Sequence, residues 1–135
     1  MVKIVLVTHG QLAKEMLETA ALIIGKPADD GFATFAVTTA ASVEKEATKL
    51  KTLLENCPEG AVILTDIFGG SATNISLTAS KDLTNCHVIT GLNLSMLLTA
   101  INSRKKLNAK ELAEKIESDG KRGVINATEL LIKGL

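Results

Sequence analysis

The sequence predicts an α/β fold, a three-layer sandwich whose central sheet is mainly parallel and flavodoxin-like, with a strand order of about 2-1-3-4. Short apolar runs without alternation recur along the chain, as expected for strands that are buried on both faces. Stretches with a helical period separate these runs, which favours crossover connections between parallel strands. With 135 residues and neither a linker nor a repeat, the chain is expected to form one domain, residues 1–135.

The first half of the chain is predicted to hold three strands and two helices. Lys3–Val7 is a β-branched run, Ala33–Thr38 is a second short strand, and Ala61–Thr65 is a third, buried strand. Gln11–Ile24 carries its apolar residues on one helical face. Ser42 is placed to cap the helix that leads to the third strand.

The second half is predicted to hold a fourth strand, His87–Thr90, preceded by a helix of small and polar residues over about 72–80. Asn93 is placed to cap a short helix after that strand. Asn108 and Glu111 form a capping-box pattern that opens a further helix.

The C-terminal part of the chain is predicted to return to the sheet. Gly120 is expected to close the preceding helix. Val124–Ile125 suggests a last short strand, which could be antiparallel and swapped between two chains. Glu129–Ile132 is predicted to form either a terminal helical turn or a tail that is swapped between two chains.

The composition argues against several classes of protein. Lys plus Arg number 15 and Asp plus Glu number 15, so the zero net charge argues against nucleic-acid partners and a polybasic membrane surface. Aromatic residues make up only 2%, which leaves no base-stacking platform. Neither a signal peptide nor an apolar run of ~20 residues for membrane insertion is visible, and two cysteines make no disulfide framework. We expect a cytoplasmic protein with reduced thiols.

A histidine and a carboxylate follow two strands that are predicted to be neighbours. His9 follows the first strand and Asp66 follows the third. Ligands of open α/β sheets bind outside the carboxyl ends of the strands, so both side chains are expected on one rim. A carboxylate that accepts a hydrogen bond from one imidazole nitrogen fixes the tautomer and leaves the other nitrogen as a positioned nucleophile. The plainer interpretation makes His9 a rim residue and Asp66 a cap of the following segment.

The segment Gly69-Gly70-Ser71 comes shortly after this carboxylate. Two glycines let the backbone approach a ligand, and a helix that begins nearby presents free N–H groups to an anion. The segment is not a Walker motif, since no Lys follows the glycines, and it is not a dinucleotide fingerprint. Gly-Gly-Ser alone is a common loop. Together with the histidine and the carboxylate, it predicts phosphoryl transfer through a phosphohistidine.

Other polar groups support weaker hypotheses. His87 opens the fourth strand at its amino end, the wrong rim for catalysis, and is expected to be structural. Cys86 and His87 have only Cys57 as a further thiol, so no metal site is expected. The run 104–106, Arg-Lys-Lys, is interpreted as a solvated turn, with contact to an acidic partner as the alternative.

A receiver-like signalling module phosphorylated on Asp66 is an alternative function. Asp66 and Thr90, each at the end of a strand, would suit it. Against it, the first strand ends in Thr8 and His9, where a receiver would need an acidic pair that holds Mg²⁺.

Three segments resemble the mannose-type family of enzyme IIA domains of the bacterial sugar phosphotransferase system (PTS). They are Val5–Gly10 followed by a helix, Asp66–Asn74 and Gly91–Leu97. Their order and separation are suitable, and the resemblance covers nearly the whole chain. Ala72 and Ser95 stand where members of the family often have proline, which bears on the stiffness of the two loops more than on chemistry.

The resemblance implies a role for each residue of the rim. His9 would carry the phosphoryl group on Nε2, and Asp66 would hold Nδ1. Ser71 would contact the phosphate together with the backbone of Gly69 and Gly70. Two further pairs are implied, Thr8 and Thr65 lining the same pocket, and Asn93 and Met96 on the rim used for partner docking.

The resemblance also implies partners. The phosphoryl donor would be the histidine-containing phosphocarrier protein (HPr), and the acceptor would be the IIB domain or subunit of the same transporter, with no cofactor, nucleotide or metal. Members of the family form homodimers by exchanging a C-terminal strand, which Val124–Asn126 could supply. A related alternative is the phosphoryl-donor subunit of a dihydroxyacetone kinase, although Gly69–Asn74 looks more like the mannose type.

Overall fold

A parallel sheet forms the centre of the molecule. The computed structural model describes residues 1–38 and 42–134, so positions 39–41 and Leu135 of the predicted domain lie outside the described residues. The strands are β1 (Lys3–His9), β2 (Phe32–Val37), β3 (Ala61–Thr65) and β4 (Cys86–Ile89). They form one sheet in the order β2-β1-β3-β4, and every neighbouring pair is parallel. The α/β class and the strand order predicted from the sequence are confirmed.

Helices cover both faces of this sheet. The helices of the described residues are α1 (Leu12–Ile24), α2 (Val43–Glu55), α3 (Ser71–Ser80), α4 (Leu94–Ser103), α5 (Ala109–Arg122) and α6 (Ala127–Ile132), of which α6 buries no residue. One core lies between the sheet and α1, α4 and α5, and the other lies between the sheet and α2 and α3. Because successive side chains of a strand point to opposite faces, Leu6 enters the first core and Val5 enters the second. Both faces are buried, which is why the strand sequences do not alternate.

Side-chain caps begin the helices where the sequence predicted them. Asn93 Oδ1 accepts a hydrogen bond from the backbone N–H of Met96 at 3.0 Å. Asn108 and Glu111 form the complete capping box. The predicted end of α5 at Gly120 is two residues too early, since the helix continues to Arg122. Gly120 has a packing role there, because a Cβ at this position would lie 2.5 Å from Cγ of Met96 on α4.

The C-terminal strand predicted at Val124–Ile125 does not form within the described part of this single chain. Both side chains are instead exposed, Val124 at 83% and Ile125 at 60%. Of the two interpretations for Glu129–Ile132, the helical turn is correct for the single chain, because these residues lie in α6. No helix among the described residues has the length and apolarity that a membrane span requires.

Arg104 connects the end of α4 to the segments that precede β1 and β2. Its Nε donates to the backbone carbonyl of Val2 at 2.9 Å, and its Nη1 donates to both carboxylate oxygens of Asp29, at 3.1 and 3.0 Å. The guanidinium also lies 5.5 Å from the centre of the Phe32 ring. Arg104 is only 4% exposed, so the interpretation of this run as a solvated turn is wrong for its first residue.

Replacement of Arg104 by Met is expected to destabilise the fold by about 2 kcal/mol, because the Val2 carbonyl loses its partner in a buried site. The measurement is the free energy of unfolding from urea denaturation. Lys105→Met is the matched control: its ammonium lies 3.7 Å from the same Asp29 carboxylate but the side chain is 60% exposed. The control should change stability by no more than about 0.5 kcal/mol. Equal losses of unfolding free energy in the two variants would show that burial of the guanidinium does not contribute to stability.

Candidate active site

His9 and Asp66 meet at the carboxyl edge of the sheet. His9 is the last residue of β1, and Asp66 follows the last residue of β3, the strand paired with β1. The ring Nδ1 of His9 lies 2.8 Å from Oδ2 of Asp66. The same oxygen accepts a hydrogen bond from the backbone N–H of His9 at 2.9 Å. Two residues 57 positions apart are therefore brought into the pair that strand order and rim position predicted.

Asp66 is held as a carboxylate by its hydrogen bonds. Its side chain is 13% exposed, and Oδ1 accepts from the backbone N–H of Ile67 at 2.9 Å. Burial is the largest single influence on the pKa of Asp66 and acts to raise it. The hydrogen bonds and charge of His9, together with the hydrogen bond from the N–H of Ile67, outweigh burial, so the net pKa lies below its ordinary value. The group is thus ionised at neutral pH and accepts a hydrogen bond from the Nδ1–H of His9.

This contact decides which nitrogen of His9 is free to react. With Nδ1–H directed at Asp66, the lone pair of the neutral imidazole lies on Nε2. The side chain of His9 is 47% exposed, so a reactant can reach the ring. The arrangement is that of a nucleophile and its orienting group.

Gly70 lies close to the imidazole of His9. A Cβ at Gly70 would lie 3.1 Å from Cε1 of His9 and 3.0 Å from Cγ2 of Ile67, so a glycine gives the ring its room. Gly69 has a φ of +81°, a left-handed conformation that favours glycine. Ser71 then begins α3, whose N-cap residue makes no side-chain hydrogen bond to the helix. The first N–H groups of α3 and its positive dipole end are therefore available to an anion beside His9.

The two threonines predicted to line the pocket are fully buried. Thr8 is 0% exposed, and its hydroxyl accepts a hydrogen bond from the backbone N–H of Ala13 at 2.8 Å, near the start of α1. Thr65 is also 0% exposed, and its hydroxyl lies 2.8 Å from that of Thr73. These contacts hold the segments on either side of the His9–Asp66 pair, and direct contact of either hydroxyl with a phosphoryl group stays a prediction.

The pair assigned to partner docking is placed differently from the expectation. Met96 is 2% exposed and belongs to the core between the sheet and α1, α4 and α5, so its side chain offers almost no surface to a docking partner. Asn93 caps α4, and its amide donates to the carbonyl of Gly120 at 3.1 Å. His87 lies within β4 beside Val62, away from the His9–Asp66 pair.

Two exposed apolar residues in the loop between Asp66 and the glycines were missed by the sequence reasoning. Ile67 is 60% exposed and Phe68 is 78% exposed. The sequence signal was the position of these two residues, between Asp66 and the two glycines in a short loop. Large apolar residues in such a loop favour an interaction over packing.

Comparison with known proteins places the chain in a family. A family model described as "PTS system fructose IIA component" (EIIA-man) matches residues 3–117. The chain belongs to this family. It carries the fructose/mannose-type IIA domain of the sugar phosphotransferase system.

Solved structures of IIA proteins share the fold. The phosphotransferase component EIIA from Streptococcus agalactiae has a TM-score of 0.86 and 26% identity, and the match covers 96% of this chain and 99% of that one. The mannose/sorbose-specific IIA subunit from Enterococcus faecalis has a TM-score of 0.81 and 29% identity, with 93% of each chain covered.

A curated relative is longer than this chain. The "PTS system mannose-specific EIIAB component" of Escherichia coli (strain K12) is 30% identical over 105 residues, which is 76% of this chain and 32% of that protein. The chain thus matches about a third of the length of this IIAB relative.

Proposed function

We propose that this IIA component takes a phosphoryl group from phosphorylated HPr onto Nε2 of His9 and passes it to a IIB domain or subunit. The observation that carries the proposal is the 2.8 Å contact of Asp66 with Nδ1 of His9, which leaves Nε2 as the reactive nitrogen of a half-exposed ring. The family match supports the same chemistry, since its members belong to a phosphotransferase system.

The proposed step is an in-line displacement. The lone pair of Nε2 of His9 forms a bond to phosphorus while the bond from phosphorus to the donor's imidazole nitrogen breaks, and that imidazole leaves with the electron pair. The imidazole of His9 gains positive charge in this step, and the adjacent carboxylate of Asp66 stabilises it. Transfer to the IIB partner is the same displacement with His9 as the leaving group. The step as written uses no nucleotide, metal or cofactor.

The glycine segment and the start of α3 are proposed to hold the transferred group. Ser71 and the backbone of Gly69 and Gly70 lie at the uncapped N-terminus of α3, and Gly70 lies beside the ring of His9. N–H donors at a helix N-terminus balance the charge of the phosphoryl oxygens. Thr8 and Thr65 are proposed to support these segments from beneath.

A homodimer with an exchanged C-terminal strand also stays a proposal. β4 is an edge strand of the sheet, and unpaired edges invite a further strand. A groove of about 640 Å³ lies beside it, lined by Val88 and Ile89 of β4 and by Val124. The apolar side chains of Val124 and Ile125 are exposed and available to pair there. The cytoplasmic location expected from the sequence stays a prediction as well.

The chemical stability of the labelled protein tests the proposal. Incubation with phosphoenolpyruvate, enzyme I and HPr should label this protein, and the label should be lost in acid and retained in base, as expected for a phosphoramidate bond on histidine. Mass spectrometry should place it on His9. A label that is lost rapidly in base, or that maps to Asp66, would indicate an acyl phosphate and favour the receiver-like alternative.

A further inference from the structure

Thr73 is a buried threonine whose hydroxyl contacts two other segments of the chain. It lies in the first turn of α3 and is 1% exposed. Its hydroxyl donates to the backbone carbonyl of Ile67 at 2.7 Å and lies 2.8 Å from the hydroxyl of Thr65. A carbonyl can only accept, and a threonine hydroxyl carries one proton. Thr73 therefore gives its proton to Ile67, and the hydrogen bond between the two threonines is donated by Thr65.

The resulting hydrogen-bond chain spans the carboxylate of the active site. It runs from the hydroxyl of Thr65 through Thr73 to the carbonyl of Ile67, and Asp66 lies between Thr65 and Ile67 in the sequence. Both hydroxyls belong to residues that are almost fully buried, where successive hydrogen bonds polarise and strengthen one another. The start of α3 thus holds the polypeptide on both sides of Asp66.

Ile67 transmits this hold to the reactive pair. Its carbonyl accepts from Thr73, while its N–H donates to Oδ1 of Asp66 at 2.9 Å. The other carboxylate oxygen, Oδ2, lies 2.8 Å from Nδ1 of His9. The carbonyl of Ile67 also lies 3.4 Å from the backbone nitrogen of Gly70, a longer and weaker contact than that with Thr73. A shift of Ile67 would therefore turn the carboxylate relative to the imidazole.

We propose that Thr73 is a positioning residue for phosphoryl transfer, which acts on His9 through Ile67 and Asp66. The inference rests on the proposed function and deepens it. The proton of Thr73 is committed to Ile67, so the residue serves the site without donating to the phosphoryl group. A misplacement of about 1 Å caused by a change outside the reacting groups can slow an enzyme about 10²-fold. Loss of the hydroxyl that fixes this loop is therefore expected to slow transfer.

Ser76 provides a matched control on the same helix. It is fully buried, and its hydroxyl donates to the backbone carbonyl of Ala72 at 2.8 Å. This hydrogen bond stays within α3 and does not reach the loop after Asp66. A hydroxyl that only stabilises the helix should behave like that of Ser76, whereas a positioning hydroxyl should also affect His9.

The variant Thr73→Val removes the hydroxyl and keeps the shape of the side chain. In single-turnover experiments the maximal rate of loading from phosphorylated HPr should fall about tenfold, with the half-saturating concentration of HPr unchanged within about twofold. The rate with the small donor phosphoramidate should fall by the same factor, because the defect lies in the geometry of His9. Thr73→Ser keeps the hydroxyl and should restore both rates to within about threefold of the wild type. Ser76→Ala should lower the free energy of unfolding and leave both rates unchanged.

The tautomer of His9 gives a readout that does not depend on transfer. Nitrogen NMR of the neutral imidazole should place the proton on Nδ1 in the wild type, because Asp66 accepts from that atom. In Thr73→Val a larger share of the proton should lie on Nε2, since the carboxylate is less well held. Thr73→Ser and Ser76→Ala should both give the spectrum of the wild type.

The other outcomes overturn the inference in different ways. Lower stability of Thr73→Val with the rates and the tautomer unchanged shows a structural role alone. Slowing with HPr but not with phosphoramidate shows an effect on docking. If Thr73→Val is unfolded, Thr65→Val replaces it, and unchanged rates and tautomer in that variant overturn the inference as well. Failure of both donors to label the wild-type protein would instead remove the proposed function itself.

Discussion

His9→Asn is expected to reduce phosphoryl labelling from phosphoenolpyruvate, enzyme I and HPr to background, a loss of at least ~10³-fold. The asparagine amide places a donor near the position of Nδ1, so the contact with Asp66 is retained while the nucleophilic Nε2 is removed. The loss should therefore be chemical and not a consequence of unfolding. Initial rates of label incorporation measure it, with thermal unfolding as the check that the variant is folded.

The second histidine provides an internal control for this experiment. The chain has two histidines, and His87 lies within β4 beside Val62, away from Asp66. His87→Asn should keep the labelling rate of the wild type within about threefold. Labelling of His9→Asn at the wild-type rate, or its loss in His87→Asn alone, would reassign the phosphorylated residue.

The fold and the reactive pair could be predicted because they depend on local sequence patterns. Unbroken apolar runs such as Ala61–Thr65 are typical of strands that are buried on both faces, and helices between them favour parallel pairing. Once β1 and β3 are neighbours, His9 and Asp66 must lie on the same edge of the sheet. No side-chain detail is needed for that step.

The errors concern residues whose burial is decided by distant parts of the chain. Arg104 looks like the first of three solvated cations, but its partner is the carbonyl of Val2, 102 residues away. Met96 lies three residues after the helix cap Asn93, and the missing side chain of Gly120 on α5 gives it a buried site. Neither partner is marked in the local sequence, so periodicity could not identify them.

Asp66→Asn is expected to slow loading of His9 by about 10²-fold or more, while the protein remains folded. The amide oxygen can still accept from Nδ1, but the negative charge that stabilises the imidazole as it becomes positive is lost. The amide can also turn its NH₂ toward the ring, which favours the wrong tautomer. Single-turnover transfer from phosphorylated HPr measures the effect on the chemical step. A rate equal to that of the wild type would remove the orienting role of Asp66.

Stability as a function of pH gives an independent test of the same carboxylate. The pKa of Asp66 is lowered in the folded protein from an ordinary value of 3.8, so its ionised form is favoured by folding. Its contribution to the free energy of unfolding is therefore complete above about pH 4 to 5 and is lost as the pH falls through the lower, folded-state pKa. Asn at this position has no such titration, so the wild type should lose stability relative to Asp66→Asn as the solution is acidified below pH 3.8. A stability difference that stays constant from neutral pH to about pH 2 would show that His9 does not favour the ionised carboxylate, and the basis for a reactive Nε2 would be lost with it.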